Sequence, residues 1–176
     1  MGAARRVEED LRIRQIRAGE GPQLKAIRLR ALAEAPDAFG QTLAQASSLD
    51  ADEYEARARV AAEGQERAFF VAETSGDEWV GMIAGHDQGA RVALLSMWVA
   101  PSHRRFGVGR RLVRTLLEWA EPKSAREVYL FVTDGNDPAR ALYASMGFAP
   151  SGKVDAHPWK PMTNEVEMVC ALRPSW

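Results

Sequence analysis

Residues 94–112 combine residue types that could bind a phosphate group. Residues 94–99 are mostly apolar, Pro101 ends this run, and Gly107 and Gly109 precede an amphipathic helical pattern. The first turn of a helix has backbone N–H groups without intrahelical partners, and the helix dipole adds positive potential there. Glycines at such a turn allow the backbone to approach a ligand closely. The segment is therefore typical of a phosphate or pyrophosphate site.

Four arginines surround these glycines and form a local basic patch: Arg104, Arg105, Arg110 and Arg111. Their side chains could contact a phosphate or point to solvent, and the sequence leaves both alternatives open. The whole chain has 23 Lys and Arg against 24 Asp and Glu, with a formal net charge of −1. Because nucleic-acid binding depends on an excess of positive charge, nucleic acid is not expected as a partner.

The bulk composition predicts one domain. The chain has 176 residues, of which 46% are apolar and 27% charged, which suits a single globular core. We expect this domain over residues 11–173, with residues 1–10 small, charged and disordered. Cys170 is the one cysteine, so an internal disulfide is excluded, and the three histidines lack metal-ligand spacing. A charged N-terminus and the lack of a long apolar run predict a cytoplasmic protein without a membrane partner.

Hydrophobic periodicity and turn residues predict a mixed α/β domain. It consists of a central twisted, mixed, mostly antiparallel sheet of about six to seven strands, flanked on both faces by about four helices. The strand at 92–99 is nearly all apolar, which suggests burial on both faces. Strands are expected at residues 11–17, 68–72, 79–84, 92–99, 127–132 and 166–172, helices at 22–32, from Asp50 or Asp52 to Gly64, at 108–121 and at 137–147, and a loop at 152–164.

A second group of residues lies at the start of the last predicted helix. We expect Asp137 to cap this helix, with Pro138 in its first turn. Asn136 and Tyr143 are separated by two helical turns, and the small Ala139 lies between them on the same face. Asn136 could instead serve only as a helix-entry residue, and the Tyr143 ring could simply pack in the core.

Two motifs together carry a family resemblance. Residues 104–109 have the form Arg/Gln-x-x-Gly-x-Gly/Ala, and residues 136–148 have the form Asn-x-x-Ala-x-x-x-Tyr-x-x-x-Gly-Phe. In this order and on these elements, they resemble the GNAT superfamily of acyl-CoA-dependent N-acetyltransferases. The resemblance implies a GNAT-like fold, acetyl-CoA as cosubstrate without a metal, and a primary amine of a small molecule or peptide as acceptor. By analogy with the family, a homodimer through the last strands is also compatible with it.

The resemblance also implies roles for single residues. Backbone groups of Met97 and Val99 would pair with the pantetheine arm, the N–H groups of residues 104–110 would hold the pyrophosphate, and Tyr143 would protonate the departing thiolate as a general acid. A strand amide near Met97 would help to hold the oxyanion of a tetrahedral intermediate. The cofactor-binding set is Met97, Trp98, Val99, Arg104, Arg105, Phe106, Gly107, Val108, Gly109, Arg110, Asn136, Ala139 and Tyr143.

Other aspects of the site stay open in the sequence. No general base is assigned, and the acceptor is expected to enter between residues 35–49 and residues 153–164. A non-catalytic acyl-CoA-binding sensor on the same fold is the main alternative, because it would bind the cofactor without releasing thiol. A dinucleotide oxidoreductase is disfavoured, since the glycine pattern is not Gly-x-Gly-x-x-Gly and no acidic ribose partner follows at the right distance.

Overall fold

The computed structural model describes residues 11–172, so the segment 1–10 that we expected to be disordered and residue 173 lie outside it. These residues form a seven-stranded sheet and five α-helices, which confirms the predicted mixed α/β class. The strands are β1 (Leu11–Gln15), β2 (Arg67–Thr74), β3 (Trp79–Asp87), β4 (Arg91–Val99), β5 (Glu127–Thr133), β6 (Ala149–Ala156) and β7 (Asn164–Ala171). The helices are α1 (Gly21–Glu34), α2 (Leu43–Ser48), α3 (Ala51–Glu63), α4 (Val108–Ala120) and α5 (Asp137–Ser145).

The sheet opens between its two central strands. Its order is β1-β2-β3-β4-β5-β7-β6, and β4 with β5 is the one parallel pair among the described strands. These two strands pair only where Arg91–Ala93 runs beside Glu127–Tyr129. Beyond Ala93 they separate, so the edge of β4 that faces β5 has no strand partner in the described chain. This opening leads from one face of the sheet to the other.

Helices cover both faces of the sheet. α4 buries its apolar stripe, which includes Leu112 and Leu116, against β2, β3 and β4. Gly85 of β3 allows the ring of Trp119 to lie directly on the strand. On the opposite face, Trp98 of β4 donates a hydrogen bond to Glu34 of α1 at 3.0 Å. β2 and β3 are therefore buried on both sides and form the centre of the core.

Local signals at the helix ends are largely confirmed. Asp50 accepts a hydrogen bond from the Glu53 amide at 2.8 Å and caps α3, which ends at Gly64 with a positive φ of 67°. Gly147 also has a positive φ and follows α5. The expected cap at Asp137 is wrong, because Asn136 precedes the helix and its side chain accepts from the Ala139 amide. Pro138 does lie in the first turn.

Four expectations about strands and helices are wrong. Residues 149–156 form strand β6 where a loop was predicted from 152 onward; this exposed edge strand has no apolar alternation to indicate it. The six-residue helix α2 adds a fifth helix. β1 ends at Gln15, and β4 is not buried on both faces, because Leu95 is 46% exposed at the opening of the sheet.

Candidate active site

The open edge of β4 presents backbone groups to the gap. The Ala100 amide donates to the Val80 carbonyl of β3 at 2.8 Å. Since successive strand residues point their backbone groups to opposite sides, those of Met97 and Val99 face the opening, as the pantetheine prediction requires. Ser96, just before them, has a positive φ of 55° beside a register shift against β3, so β4 bends here. The side chain of Trp98 is buried and points to α1.

The turn before α4 leaves the start of that helix uncapped by any side chain. Arg105 and Gly107 both have positive φ values, 67° and 77°. Gly107 is the N-cap residue and offers no side chain that could accept the first amide groups of the helix. Val108 is buried in the core and Phe106 is half-buried, so both anchor the turn. The resulting concave run of N–H groups suits a bound anion.

Gly109 has a role in packing within the protein. A Cβ on this residue would lie 3.1 Å from Met97 Cε and 3.2 Å from Leu142 Cδ2. The missing side chain thus lets α4 lie close to β4 and α5. A close approach of phosphate to this glycine stays a prediction.

Three of the four arginines in the basic patch hydrogen-bond to the protein. Arg104 pairs with Glu34 at 2.6 Å and donates to the Val99 carbonyl at 2.8 Å. The hydrogen bond that Arg104 donates to the Glu34 carboxylate is the main reason why the pKa of Glu34 is lowered. Arg110 donates to Ser145 and Arg111 to the Leu11 carbonyl. Within residues 11–172, only the Arg105 guanidinium of this patch has no hydrogen-bond partner.

Asn136 caps the first turn of α5. Its Oδ1 atom accepts from the Ala139 amide at 3.3 Å. The side-chain NH₂ group is not used in this contact, so it is left as a donor. Ala139 is partly buried and packs against the core. The helix-entry role of Asn136 is thus confirmed, and a contact between Asn136 and the cofactor stays a prediction.

Tyr143 is a buried residue of α5 whose ring packs in the core. The residue is 6% exposed, and its ring lies 5.6 Å from that of Phe148 in an edge-on arrangement. It lines a cavity of about 290 Å³ at the opening between β4 and β5, together with Met97. Burial raises the pKa of Tyr143 well above its ordinary value. In the part of the chain that the structure describes, no protein group hydrogen-bonds to the hydroxyl.

Four further residues line the same cavity and were not found from the sequence: Arg28, Phe39, Gln41 and Glu165. Glu165 is partly buried, and burial raises the pKa of its carboxyl group. Its Oε1 atom lies 3.8 Å from Nε2 of His157. These residues come from α1, the following loop and β7, so no local motif in the sequence connects them.

Hydrogen bonds join the two segments between which the acceptor is expected to enter. Trp159 donates to the Phe39 carbonyl at 2.8 Å, and Lys160 pairs with Asp37. Because Nδ1 of His157 accepts from the Lys160 amide, its Nε2 carries the proton and donates to the Asp37 carbonyl. Residues 38–41 do line the cavity, whereas none of residues 153–164 does.

Within residues 11–172, no three His, Cys, Asp or Glu side chains are grouped so that they could hold a metal ion. None of the helices described is both long and apolar enough to cross a membrane.

Comparison with known proteins identifies the family. The sequence profile of the Acetyltransferase (GNAT) family matches residues 30–148, which is more than half of the chain. The chain belongs to this family. The match includes β4, the glycine turn and all of α5, so it contains both motifs on which the resemblance was based. The GNAT prediction from the sequence is thereby confirmed.

Individual relatives agree with this assignment. N-acetyltransferase family 8 member 3 from mouse is 37% identical over 91 residues, which are 48% of this chain and 40% of the relative. The chain thus spans about two-fifths of the length of this curated relative. A GNAT-family acetyltransferase structure from Streptococcus pneumoniae has a TM-score of 0.80 at 20% identity, covering 93% of this chain and 100% of that one. The structure of yncA from Salmonella typhimurium with its cofactor acetyl-CoA has a TM-score of 0.77 at 17% identity, covering 95% and 96%.

Proposed function

We propose that the protein is an acetyl-CoA-dependent N-acetyltransferase that transfers an acetyl group to a primary amine of a small molecule or peptide. The observation that carries the proposal is the opening between β4 and β5. It brings the unpaired edge of β4 and Tyr143 to one cavity, and the uncapped start of α4 lies beside Met97 of that edge. Membership of the GNAT family supports the same activity.

The residues at the opening fit acetyl-CoA. The N–H groups of residues 104–110 would hold the pyrophosphate, and Gly107 leaves them accessible. Backbone groups of Met97 and the amide of Val99 would bind the pantetheine arm as an added strand, since the Val99 carbonyl already accepts from Arg104. The NH₂ group of Asn136 can provide a further hydrogen bond, since its oxygen is used as the helix cap. Acetyl-CoA supplies a thioester, whose carbonyl carbon the amine attacks and whose carbon–sulfur bond breaks.

Tyr143 serves as the general acid. Burial disfavours the charged tyrosinate, so the hydroxyl keeps its proton at every working pH. The same burial penalises negative charge on the departing sulfur, which therefore takes the proton readily. The lack of a described protein partner leaves the hydroxyl available for this contact. After the Tyr143 hydroxyl has given its proton to the sulfur, the tyrosinate takes a new proton from solvent.

Glu165 is the side chain best suited to accept the proton of the amine. It lines the same cavity as Tyr143, and burial raises its pKa toward the range in which a carboxylate is an effective base. The new nitrogen–carbon bond thus forms as the proton leaves for Glu165, while the Tyr143 proton goes to sulfur. The two groups that exchange protons with the reactants come from β7 and α5.

A thiol-release assay tests this function directly. The protein is mixed with acetyl-CoA and a panel of amines, polyamines, amino acids, aminoglycosides and peptides with free N-termini, and free thiol is measured. We expect release that depends on one acceptor class and yields the acetylated amine by mass spectrometry. Acetyl-CoA binding without thiol release for any amine would favour the non-catalytic sensor instead.

Two further expectations accompany this function. A homodimer through the last strands is consistent with β6 lying at the exposed edge of the sheet, and light scattering during gel filtration tests it. A cytoplasmic location also stays a prediction, to be tested by fractionation of the producing cells.

A further inference from the structure

A second cavity adjoins the proposed active site and has a one-sided charge. It measures about 540 Å³ and lies between α1, α3 and strands β2 to β4. Arg28, Arg57 and Arg67 line it, and none of its lining residues is Asp or Glu. Apart from these arginines and Ser96, the lining is apolar or glycine. A cavity of this kind suits a ligand with both an anionic group and an apolar part.

Arg28 connects this cavity with the one that contains Tyr143, because it lines both. It donates to Ser96 Oγ and to Gln41 Oε1, each at 2.7 Å. Both of these partners are neutral, and the buried Nε atom has no hydrogen-bond partner in the described residues. Burial lowers the pKa of Arg28, so its positive charge is poorly solvated. A buried charge without a counter-ion is costly, and a ligand carboxylate would supply that counter-ion.

The other two arginines add positive potential toward the mouth of the cavity. Arg57 is paired with Glu53 at 3.0 Å, and both side chains are more than 40% exposed, so this pair is strongly solvated. Arg67 is exposed and forms no ion pair within residues 11–172. Arg28 is therefore the least exposed of these charges and hydrogen-bonds only to neutral side chains within residues 11–172. The positive charges of Arg28, Arg57 and Arg67 would repel a polyamine, which is itself a cation.

We propose that the acceptor is an amine that carries a carboxylate and an apolar body, such as an α-amino acid with an apolar side chain. This inference rests on the proposed function. The amine lies toward Glu165 and Tyr143, the carboxylate binds Arg28, and the apolar part occupies the second cavity beside Leu24, Phe69 and Leu95. The carboxylate could belong to a free amino acid or to a short peptide, and both sources share the same contact with Arg28.

Matched acceptors separate the carboxylate from the rest of the molecule. Phenylalanine and phenethylamine have the same ring and amines of similar basicity, but only phenylalanine has a carboxylate. We expect kcat/KM for phenylalanine to be at least about tenfold higher, because a charge-assisted hydrogen bond is involved. A phenylalanyl-alanine dipeptide and its C-terminal amide form the peptide arm. The carboxylate would be assigned to a peptide if the dipeptide were preferred over its amide by a larger factor than phenylalanine is preferred over phenethylamine.

The variant Arg28→Gln should abolish these preferences. We expect the KM for phenylalanine to rise about tenfold or more in this variant. The KM for phenethylamine and the affinity for acetyl-CoA should not change. Arg28→Lys keeps the charge and should restore part of the preference. Arg59→Gln, an exposed residue of α3 that lines neither cavity, is the matched control. Unchanged acetyl-CoA affinity also reports that β4 is intact in the variant.

A binding measurement distinguishes failure of this inference from failure of the proposed function. Calorimetry with N-acetylphenylalanine should show binding to the wild type and at least about tenfold weaker binding to Arg28→Gln, without any turnover. If no amine releases thiol but this binding difference holds, the enzymatic function fails and the anion site stands. If phenethylamine is as good an acceptor as phenylalanine, and Arg28→Gln affects both equally, the carboxylate assignment is overturned.

Discussion

Replacing Tyr143 by Phe removes one hydroxyl group from the cavity and little else. The ring stays packed against Phe148, and no described protein group loses a hydrogen-bond partner. We therefore expect the free energy of unfolding to change by less than about 1 kcal/mol. A positioned general acid contributes about 100-fold to 10,000-fold to the rate, so kcat should fall within this range. The loss corresponds to about 3–5 kcal/mol of transition-state stabilisation.

The assay measures thiol release at saturating acetyl-CoA, with acetyl-CoA affinity measured separately by calorimetry. Affinity should change little, because the hydroxyl contributes mainly when charge develops on sulfur. Tyr129→Phe is the matched control: Tyr129 lines the same cavity, but its hydroxyl donates to Gln88 at 2.9 Å. Since burial raises the pKa of Tyr143, the wild-type rate should show no alkaline decline from this group below about pH 10.

The general-acid role has a clear point of failure. If Tyr143→Phe retains kcat within about twofold of the wild type across pH, a catalytic contribution of 100-fold or more is excluded. A drop in acetyl-CoA affinity that matches the whole drop in kcat/KM would instead indicate a binding role for the hydroxyl. An equal loss in Tyr129→Phe would show that the assay responds to the polarity of the cavity and not to one proton donor.

Four other changes test the base, the glycine turn and a largely buried ion pair. Glu165→Gln should lower kcat by about 100-fold or more and remove the decline of the rate at acid pH. In the wild type this decline occurs as the pH falls through the Glu165 pKa, which burial raises above 4.5. An unchanged acid decline in the variant would point to another base. Gly107→Ala should lower the free energy of unfolding by about 1 kcal/mol, because the φ of 77° is unfavourable for alanine. Gly109→Val should lower stability and, by displacing Met97 and Leu142, should also weaken acetyl-CoA binding. Wild-type affinity of Gly109→Val in calorimetry would contradict this expected effect on the edge of β4. Arg14→Gln breaks a pair with Glu73 in which the side chains are 8% and 12% exposed, and should cost about 3 kcal/mol at pH 7 by chemical denaturation. The hydrogen bond from Arg14 lowers the Glu73 pKa from 4.5, so the pair stabilises the fold fully above pH 4.5 and loses this effect as the pH falls through the lowered pKa. The reasoning would be refuted if the stability difference between the wild type and Arg14→Gln stayed constant down to pH 2. It would also be refuted if Arg57→Gln lost as much stability as Arg14→Gln.

Much of the fold could be predicted because its elements have local causes. The apolar stripe of α4, the Asp50 cap and the turn at Gly64 are each encoded within a few residues, and each is present. β6 was missed because an exposed edge strand needs no apolar alternation. The short helix α2 was missed because its capping box lies in a segment with few apolar residues. The exposure of Leu95 could not be predicted, since it results from the separation of β4 and β5.

By itself, the sequence determined the family and the two motifs, because the glycine turn and the Asn136-to-Tyr143 spacing depend only on neighbours along the chain. It also indicated correctly that Tyr143 and the β4 backbone belong to one region. Only the tertiary structure decided which residues share the cavity with Tyr143. Arg28 and Glu165 are separated by most of the chain and meet there because the sheet order places β7 beside β5 and α1 across β4. The charge that we propose to select the acceptor thus results from long-range packing, which no local sequence pattern indicates.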